Sequence, residues 1–250
     1  MSYITTVTGK HFDPMNPTEQ EIDIFDIAHA LSLICRGNGH IRFFYSVAQH
    51  SISCAEEAIA RGYSSEVTLG CLLHDASEAY LSDVTRPVKK ELPRYLQAEK
   101  NLQNEIWKHF IGRELTEGER RQVFEIDDIM LCAEFHQLMP EELSDDYRKL
   151  LSNFVCVYQE PRIVRERFIQ LQRILKNEIN FREAQQLMRT EENAGRLRGL
   201  IGELEEYYTS DEWKRDFAAD EAGQLPENLR RGVLSEDGIY NLLEEYKERG

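Results

Sequence analysis

Apolar residues recur along most of this chain at the three- and four-residue spacing of an amphipathic helix, and alternating, strand-like runs are scarce. Residues 23–34 carry Ile24, Ile27, Ala28, Leu31 and Ile34 on one face. Residues 45–61 continue with Val47, Ala48, Ile52, Ala55 and Ile59 and stop at Gly62. The stretch 66–81, EVTLGCLLHDASEAYL, reads as one strongly apolar helix. Long amphipathic helices are predicted over 95–111 and 117–138, and further helices over 142–152 and 161–189. The run ITTVT near the start is the one strand candidate. The turn at 37–39 and the stretch 83–93, limited by Pro87 and Pro93, read as ordered connectors. The pattern predicts an all-α protein.

Composition narrows the class. With 250 residues, 41% hydrophobic and 30% charged, the chain has the make-up of a globular protein rather than a disordered or membrane-embedded one. Its 45 acidic and 30 basic residues leave a net charge of −15, which argues against binding a nucleic-acid duplex. A small phosphate compound needs only a few local arginines. The balance shifts along the chain: residues 1–176 hold 27 acids and 20 bases, whereas 177–250 hold 18 and 10. Two domains are therefore expected, 1–176 and an acidic module over 177–250. The module has turns of its own at Thr209–Ser210, Gly223, Pro226 and Gly232. Tyr207, Tyr208, Trp213, Phe217, Tyr240 and Tyr246 could supply it with a small core. The first ten residues lack the apolar stretch of a signal peptide, and no run approaches the ~20 residues of a membrane span. Five cysteines without a CxxC pair suggest a reduced, cytoplasmic protein with no cysteine zinc site.

The chemistry gathers around His74-Asp75, which ends a face formed by Leu69, Cys71, Leu72 and Leu73. A carboxylate in such surroundings must be compensated, either by a metal ion or by a buried hydrogen bond to the histidine. Two residues on other predicted helices could complete a site. His50 stands among Val47, Ala48 and Ile52, and Asp127 lies in VFEIDDIMLCAEF, with Asp128 as its neighbouring rival. Two imidazoles and two carboxylates make a mixed nitrogen–oxygen set suited to a first-row divalent ion. Glu78, one predicted helical turn beyond His74, could orient or deprotonate water or protonate a leaving oxygen.

The order of His50, His74-Asp75 and Asp127 resembles the H…HD…D signature of the HD-domain phosphohydrolases. The stretch 74–89, HDASEAYLSDVTRPVK, is similar to the corresponding segment of bacterial 5′-deoxynucleotidases of that superfamily. ICRGNGHIRFFYSVAQHS (34–51) and EIDDIMLCAEFHQL (125–138) resemble a prophage-associated branch of it. The family pattern of Asp, Leu four residues on and then Glu, here Asp127, Leu131 and Glu134, favours Asp127 over Asp128.

The resemblance implies an all-α HD-domain bundle with a small, mainly helical C-terminal extension. It implies one divalent metal ion (Mn, Co, Fe, Ni, Zn or Mg) held by His50, His74, Asp75 and Asp127. Glu78 then handles protons, Arg36 holds phosphate with Arg42 as a weaker candidate, Asp83 lies near sugar and phosphate, and Lys89 adds positive charge. The implied reaction is hydrolysis of (deoxy)nucleoside 5′-monophosphates to nucleoside and phosphate. A nucleoside triphosphate or nucleotide-signal hydrolase and a non-catalytic nucleotide-binding scaffold stand as alternatives. Ala79, where guanosine tetraphosphate hydrolases carry an acid, makes that activity a poor fit. The partner expected is a small-molecule nucleotide, with no duplex and no membrane, and a homodimer is left open. His40 and Tyr45 match the prophage-associated branch without a derivable role. The tail from 206 to 243 resembles an uncharacterised bacterial family, which implies no activity.

Overall fold

The computed structural model describes residues 3–139, 150–190 and 193–249. It is mostly helical, as the periodicity predicts. The chain divides into two compact units, Met1–Ile169 and Gln170–Gly250.

The first unit opens with a two-stranded antiparallel hairpin, β1 (Ile4–Thr5) and β2 (His11–Phe12), paired Ile4 to Phe12. The second strand has no counterpart in the apolar pattern, since only Phe12 of the pair is buried. Four helices then build the core: α1 (Ile24–Leu33), α2 (Val47–Ala60), α3 (Ser65–Leu72) and, after three intervening helices, α7 (Glu117–Leu138). The intervening ones are the short α4 (Glu78–Leu81) and α5 (Arg86–Lys89) and the long α6 (Pro93–Ile111). Local sequence sets the starts. Asp23 accepts from the backbone of Phe25 and Asp26. Ser46 and Thr116 form capping boxes with Gln49 and Glu119, and Ser64 caps α3.

The helices pack through Ile27, Leu31, Val47, Ala55, Leu69, Leu72, Leu102, Ile106, Ile126 and Met130, each at most 1% exposed. Burying an aliphatic side chain of this size is worth roughly 1.5–3 kcal/mol. Gly70 permits the closest approach: a Cβ there would stand 3.1 Å from Leu115 and Val123.

One predicted helix is not continuous. The stretch 66–81 breaks after Leu72, and residues 73–77 form tight turns before α4 begins. The carbonyls released by the break find side-chain donors. Trp107 Nε1 donates to Gly70 O at 3.2 Å, His74 Nδ1 to Cys71 O at 2.7 Å and Gln103 Nε2 to Leu73 O at 2.7 Å. Gln103 Oε1 also accepts from Ser77 N at 3.1 Å. Buried peptide groups leave a helix only where such partners exist. Here two of the three come from α6, far away in sequence.

The predicted helix over 142–152 lies outside the described residues except at its end, which is irregular. There the backbone N–H groups of Leu151 and Ser152 are held by buried Glu57 of α2 at 2.9–3.0 Å.

Helix α8 (Pro161–Thr190) contributes its first nine residues to the first unit and the rest to the second. The second unit adds α9 (Ala194–Thr209), α10 (Asp211–Glu221) and α11 (Glu236–Arg249). Its core is mainly aliphatic, with Leu200, Leu204, Val233, Leu234, Ile239 and Leu243 joining Tyr207 and Trp213. Tyr240, expected in an aromatic core, is half exposed. Asp216, fully buried, accepts from Arg173, Gln170 and Tyr207. Among the described residues no helix is long and apolar enough to cross a membrane.

Candidate metal centre

Three parts of the first unit deliver polar side chains to one buried place. His50 enters one turn inside the capped start of α2, His74 and Asp75 sit in the turn after α3, and Asp127 comes from the middle of α7. Their donor atoms converge. His50 Nε2 lies 3.2 Å from His74 Nε2, 3.1 Å from Asp127 Oδ1 and 3.8 Å from Asp75 Oδ2. His74 Nε2 lies 3.2 Å from Asp75 Oδ2 and 3.5 Å from Asp127 Oδ1. Donors bound to one ion at about 2.1 Å stand roughly 3.0–3.4 Å apart in octahedral or tetrahedral geometry, so these spacings are of the right size.

The histidines are also turned the right way. His50 Nδ1 is 2.8 Å from Glu134 Oε1, and His74 Nδ1 is engaged by the Cys71 carbonyl. Each ring therefore donates through Nδ1 and presents Nε2 inward, the arrangement by which metal-ligating imidazoles are oriented. Two neutral rings so held would point lone pairs at each other across 3.2 Å, and a cation between them removes that repulsion.

Electrostatics agree. Burial works against a charged imidazole, but Asp75 and Asp127 outweigh it and hold His74 well above the usual histidine range. His50 is also raised: burial and Arg36 oppose its charge, and Glu134 and Asp127 prevail. Burial pushes Asp75 and Asp127 upward, yet the two imidazoles bring both below the usual carboxylate range. The site favours positive charge at the point where the Nε2 atoms meet.

Cys54, one turn beyond His50, places its sulfur 3.7 Å from His50 Nε2. His50, Cys54 and His74 form a buried cluster, with one ligand atom from each within 4.8 Å of the others, that is able to hold a metal ion. The spacing of cysteines in the sequence points to no such site, because Cys54 joins it through a histidine and not through a second cysteine. Burial raises the Cys54 thiol well above its ordinary range, keeping it protonated and a weaker ligand than the carboxylates.

The remaining expected residues divide. Arg36 is brought in because the chain folds back on itself after α1: Arg36 N donates to Tyr45 O and Val47 N to Ile34 O. Its buried guanidinium stands 3.5 Å from Asp75 and 3.3 Å from Glu134, with Nε unpartnered. Glu78 is buried at the start of α4, with Oε1 3.4 Å from Lys89 Nζ and Oε2 without a partner. It reaches the site through a tight turn and not along a continuous helix. Burial, Asp75 and Asp83 together hold its carboxyl well above the usual range. Asp83 is half-buried and also raised, mainly by burial. Lys89 additionally pairs with Glu99 at 2.6 Å.

Arg42 lies elsewhere. Its backbone N–H donates to Leu138 O and its guanidinium to Gln137 O, meeting carbonyls that the end of α7 leaves free. Tyr45 is a core residue, packed with Leu138 and Cys156, and its hydroxyl shares a hydrogen bond with Ser53. His40 is exposed.

Two residues outside the expected set complete the site. Glu134 stands at its buried centre. Arg86, 58% exposed, donates to Asp127 Oδ2 at 3.0 Å and pairs with Asp128 at 2.9 Å. Asp127 thus faces inward while Asp128, 66% exposed, faces out.

These features define an all-helical protein with a buried cluster able to bind a metal ion, followed by a second compact helical unit. Residues 170–249 match the family model described as a domain of unknown function, DUF4298. The chain is 42% identical over 102 residues to the uncharacterized protein YfdR of Escherichia coli strain K12, covering 41% of this chain and 54% of the relative. It is 38% identical over 102 residues to an uncharacterized protein of Rhodobacter capsulatus, covering 38% of this chain and 52% of that relative. The chain therefore spans about half the length of the curated relatives it matches.

Proposed function

We propose that the first unit is a metal-dependent phosphohydrolase of the HD-domain type, acting on (deoxy)nucleoside 5′-monophosphates. One observation carries the reading. The inward nitrogens of His50 and His74 and one oxygen each of Asp75 and Asp127 meet at ion-sized spacing, with a buried arginine on one side and an unpartnered carboxylate oxygen nearby.

A divalent ion held by His50, His74, Asp75 and Asp127 would polarise a phosphate oxygen and acidify water at neutral pH. The chain's own groups do the rest. Arg36, fixed between Asp75 and Glu134, offers its free Nε–H to a phosphate oxygen. Glu78 carries a raised carboxyl and is suited to deliver a proton to the departing 5′-oxygen or to collect one from water. Lys89 keeps Glu78 within reach from the next turn. Asp83 opposes a phosphate seated on the wrong carbon of the sugar. The cations around the site, Arg36, Arg86 and Lys89, all face carboxylates already, which suits one phosphate better than a triphosphate chain.

The test is phosphate release from dAMP, dGMP, dCMP, dTMP, AMP and 3′-dAMP with Mn²⁺, Co²⁺ or Mg²⁺. Orthophosphate from the 5′-monophosphates is expected. Faster cleavage of the 3′-phosphate, tripolyphosphate from triphosphates alone, or binding of nucleotides without turnover would overturn the reading.

A further inference from the structure

Glu134 is 0% exposed and lies two helical turns beyond Asp127, on the same face of α7. A buried carboxylate without partners is costly, so its contacts define its purpose. It has one for each oxygen: Oε1 is 2.8 Å from His50 Nδ1, and Oε2 is 3.3 Å from Arg36 Nη2. Asp75 also stands beside Arg36, but it meets the imidazoles at Nε2, whereas Glu134 takes the outer Nδ1 of His50.

We infer that Glu134 is a positioning residue that couples the ion to the buried arginine beside it. By accepting the Nδ1 proton of His50 it fixes the tautomer that leaves Nε2 free to bind a metal. By accepting from Arg36 it holds the guanidinium beside Asp75, with Nε–H unspent. Helix α7 thereby supplies a ligand from one turn and the orienter of another ligand two turns later. The inference rests on the proposed metal site but not on the reaction assigned to it.

The carboxylate accepts from both donors, and an amide cannot. In Glu134→Gln the single carbonyl oxygen serves either His50 or Arg36, and the NH₂ group faces the donor that remains. We expect the affinity of the full chain for Co²⁺, read by chelator competition, to fall about 10- to 100-fold. Glu134→Asp, which keeps both acceptors, should recover part of the loss. Glu57→Gln is the control, because Glu57 is an equally buried carboxylate on α2 that holds Leu151 and Ser152 and touches no residue of the site. It should lower thermal stability without changing Co²⁺ affinity.

If Glu134→Gln stays folded and binds Co²⁺ within twofold of the wild type, the role is merely structural and the inference fails. Should that variant not fold, the wild type decides. Ring ¹⁵N–¹H spectra of the Zn²⁺-loaded protein should show His50 protonated at Nδ1, and protonation at Nε2 overturns the proposal. Weakened Co²⁺ binding with no phosphate release from any nucleotide would leave this inference standing and remove the phosphohydrolase reading. Release with unchanged Co²⁺ affinity would do the reverse.

Discussion

At the scale of single residues, the site is a balance of charge inside an apolar shell. Asp75 and Asp127 are held ionised by two imidazoles, and Glu78, with an oxygen that has no partner, is pushed the other way. Similar carboxyl groups are driven apart by their surroundings, as the proposed division into metal ligands and a proton carrier requires. Removing a ligand and removing the proton carrier should therefore give different results. Asp75→Ala is expected to lose bound metal and activity together, and to lose the thermal stabilisation that added Mn²⁺ or Co²⁺ confers. Elemental analysis and melting curves with and without metal test this, and full occupancy in the variant would remove Asp75 from the ligand set. Glu78→Gln should keep its metal and its fold while turnover falls roughly 10²–10⁴-fold. Wild-type turnover in that variant would deny Glu78 its part in proton transfer.

Individual elements hold these residues in register. Helix α7 carries both Asp127 and Glu134, and its first turn is secured at Glu119, which closes the capping box with Thr116 and pairs with Arg113 at 2.7 Å. The hydrogen bond from Arg113, helped by Thr116, lowers the Glu119 carboxyl to about 2 from an ordinary 4.5. A group depressed in the folded state stabilises fully above its unfolded value, and that contribution disappears as pH falls through the folded one. Glu119 should thus contribute on the order of 1 kcal/mol above pH 4.5, after allowance for solvent screening, and lose it between about 4.5 and 2. Urea denaturation of Glu119→Gln and wild type at several pH values checks the sign. The two curves should converge toward pH 2, and a constant gap would show that charge at Glu119 does not contribute.

At the scale of the whole molecule, the candidate centre belongs to one of the two compact units. Every residue of the candidate centre lies before Ile169, and the second unit contains no histidine. The second unit has its own core and its own buried anchor in Asp216. A chain ending at Thr190, which keeps α8 whole, should remain helical and bind Co²⁺ with the affinity of the full chain. Circular dichroism and chelator competition measure both properties. Loss of metal binding in a folded truncation would show that the tail completes the site.

Much of this protein was decided locally and was therefore readable in its sequence. Helical periodicity and capping residues act over a few positions, so α1, α2, α6 and α7 fall within a residue or two of where the apolar spacing puts them. His50 and His74-Asp75 stood out as polar residues on apolar faces, whereas the choice of Asp127 over Asp128 rested on the resemblance to the HD-domain pattern. Other features depended on partners brought from far along the chain. The break after Leu72 exists because Trp107 and Gln103 of α6 take the freed carbonyls, and no property of residues 66–81 alone foretells it. Arg36 is the stronger phosphate candidate in the sequence and Arg42 the weaker, but only packing shows that Arg42 meets the end of α7 while Arg36 is folded back into the core. Glu134 and Cys54 became part of the centre only when α7 and α2 packed around His50. Periodicity reports which face of a helix is buried, whereas the atoms that meet inside that face are set by packing between helices, which tertiary structure alone determines.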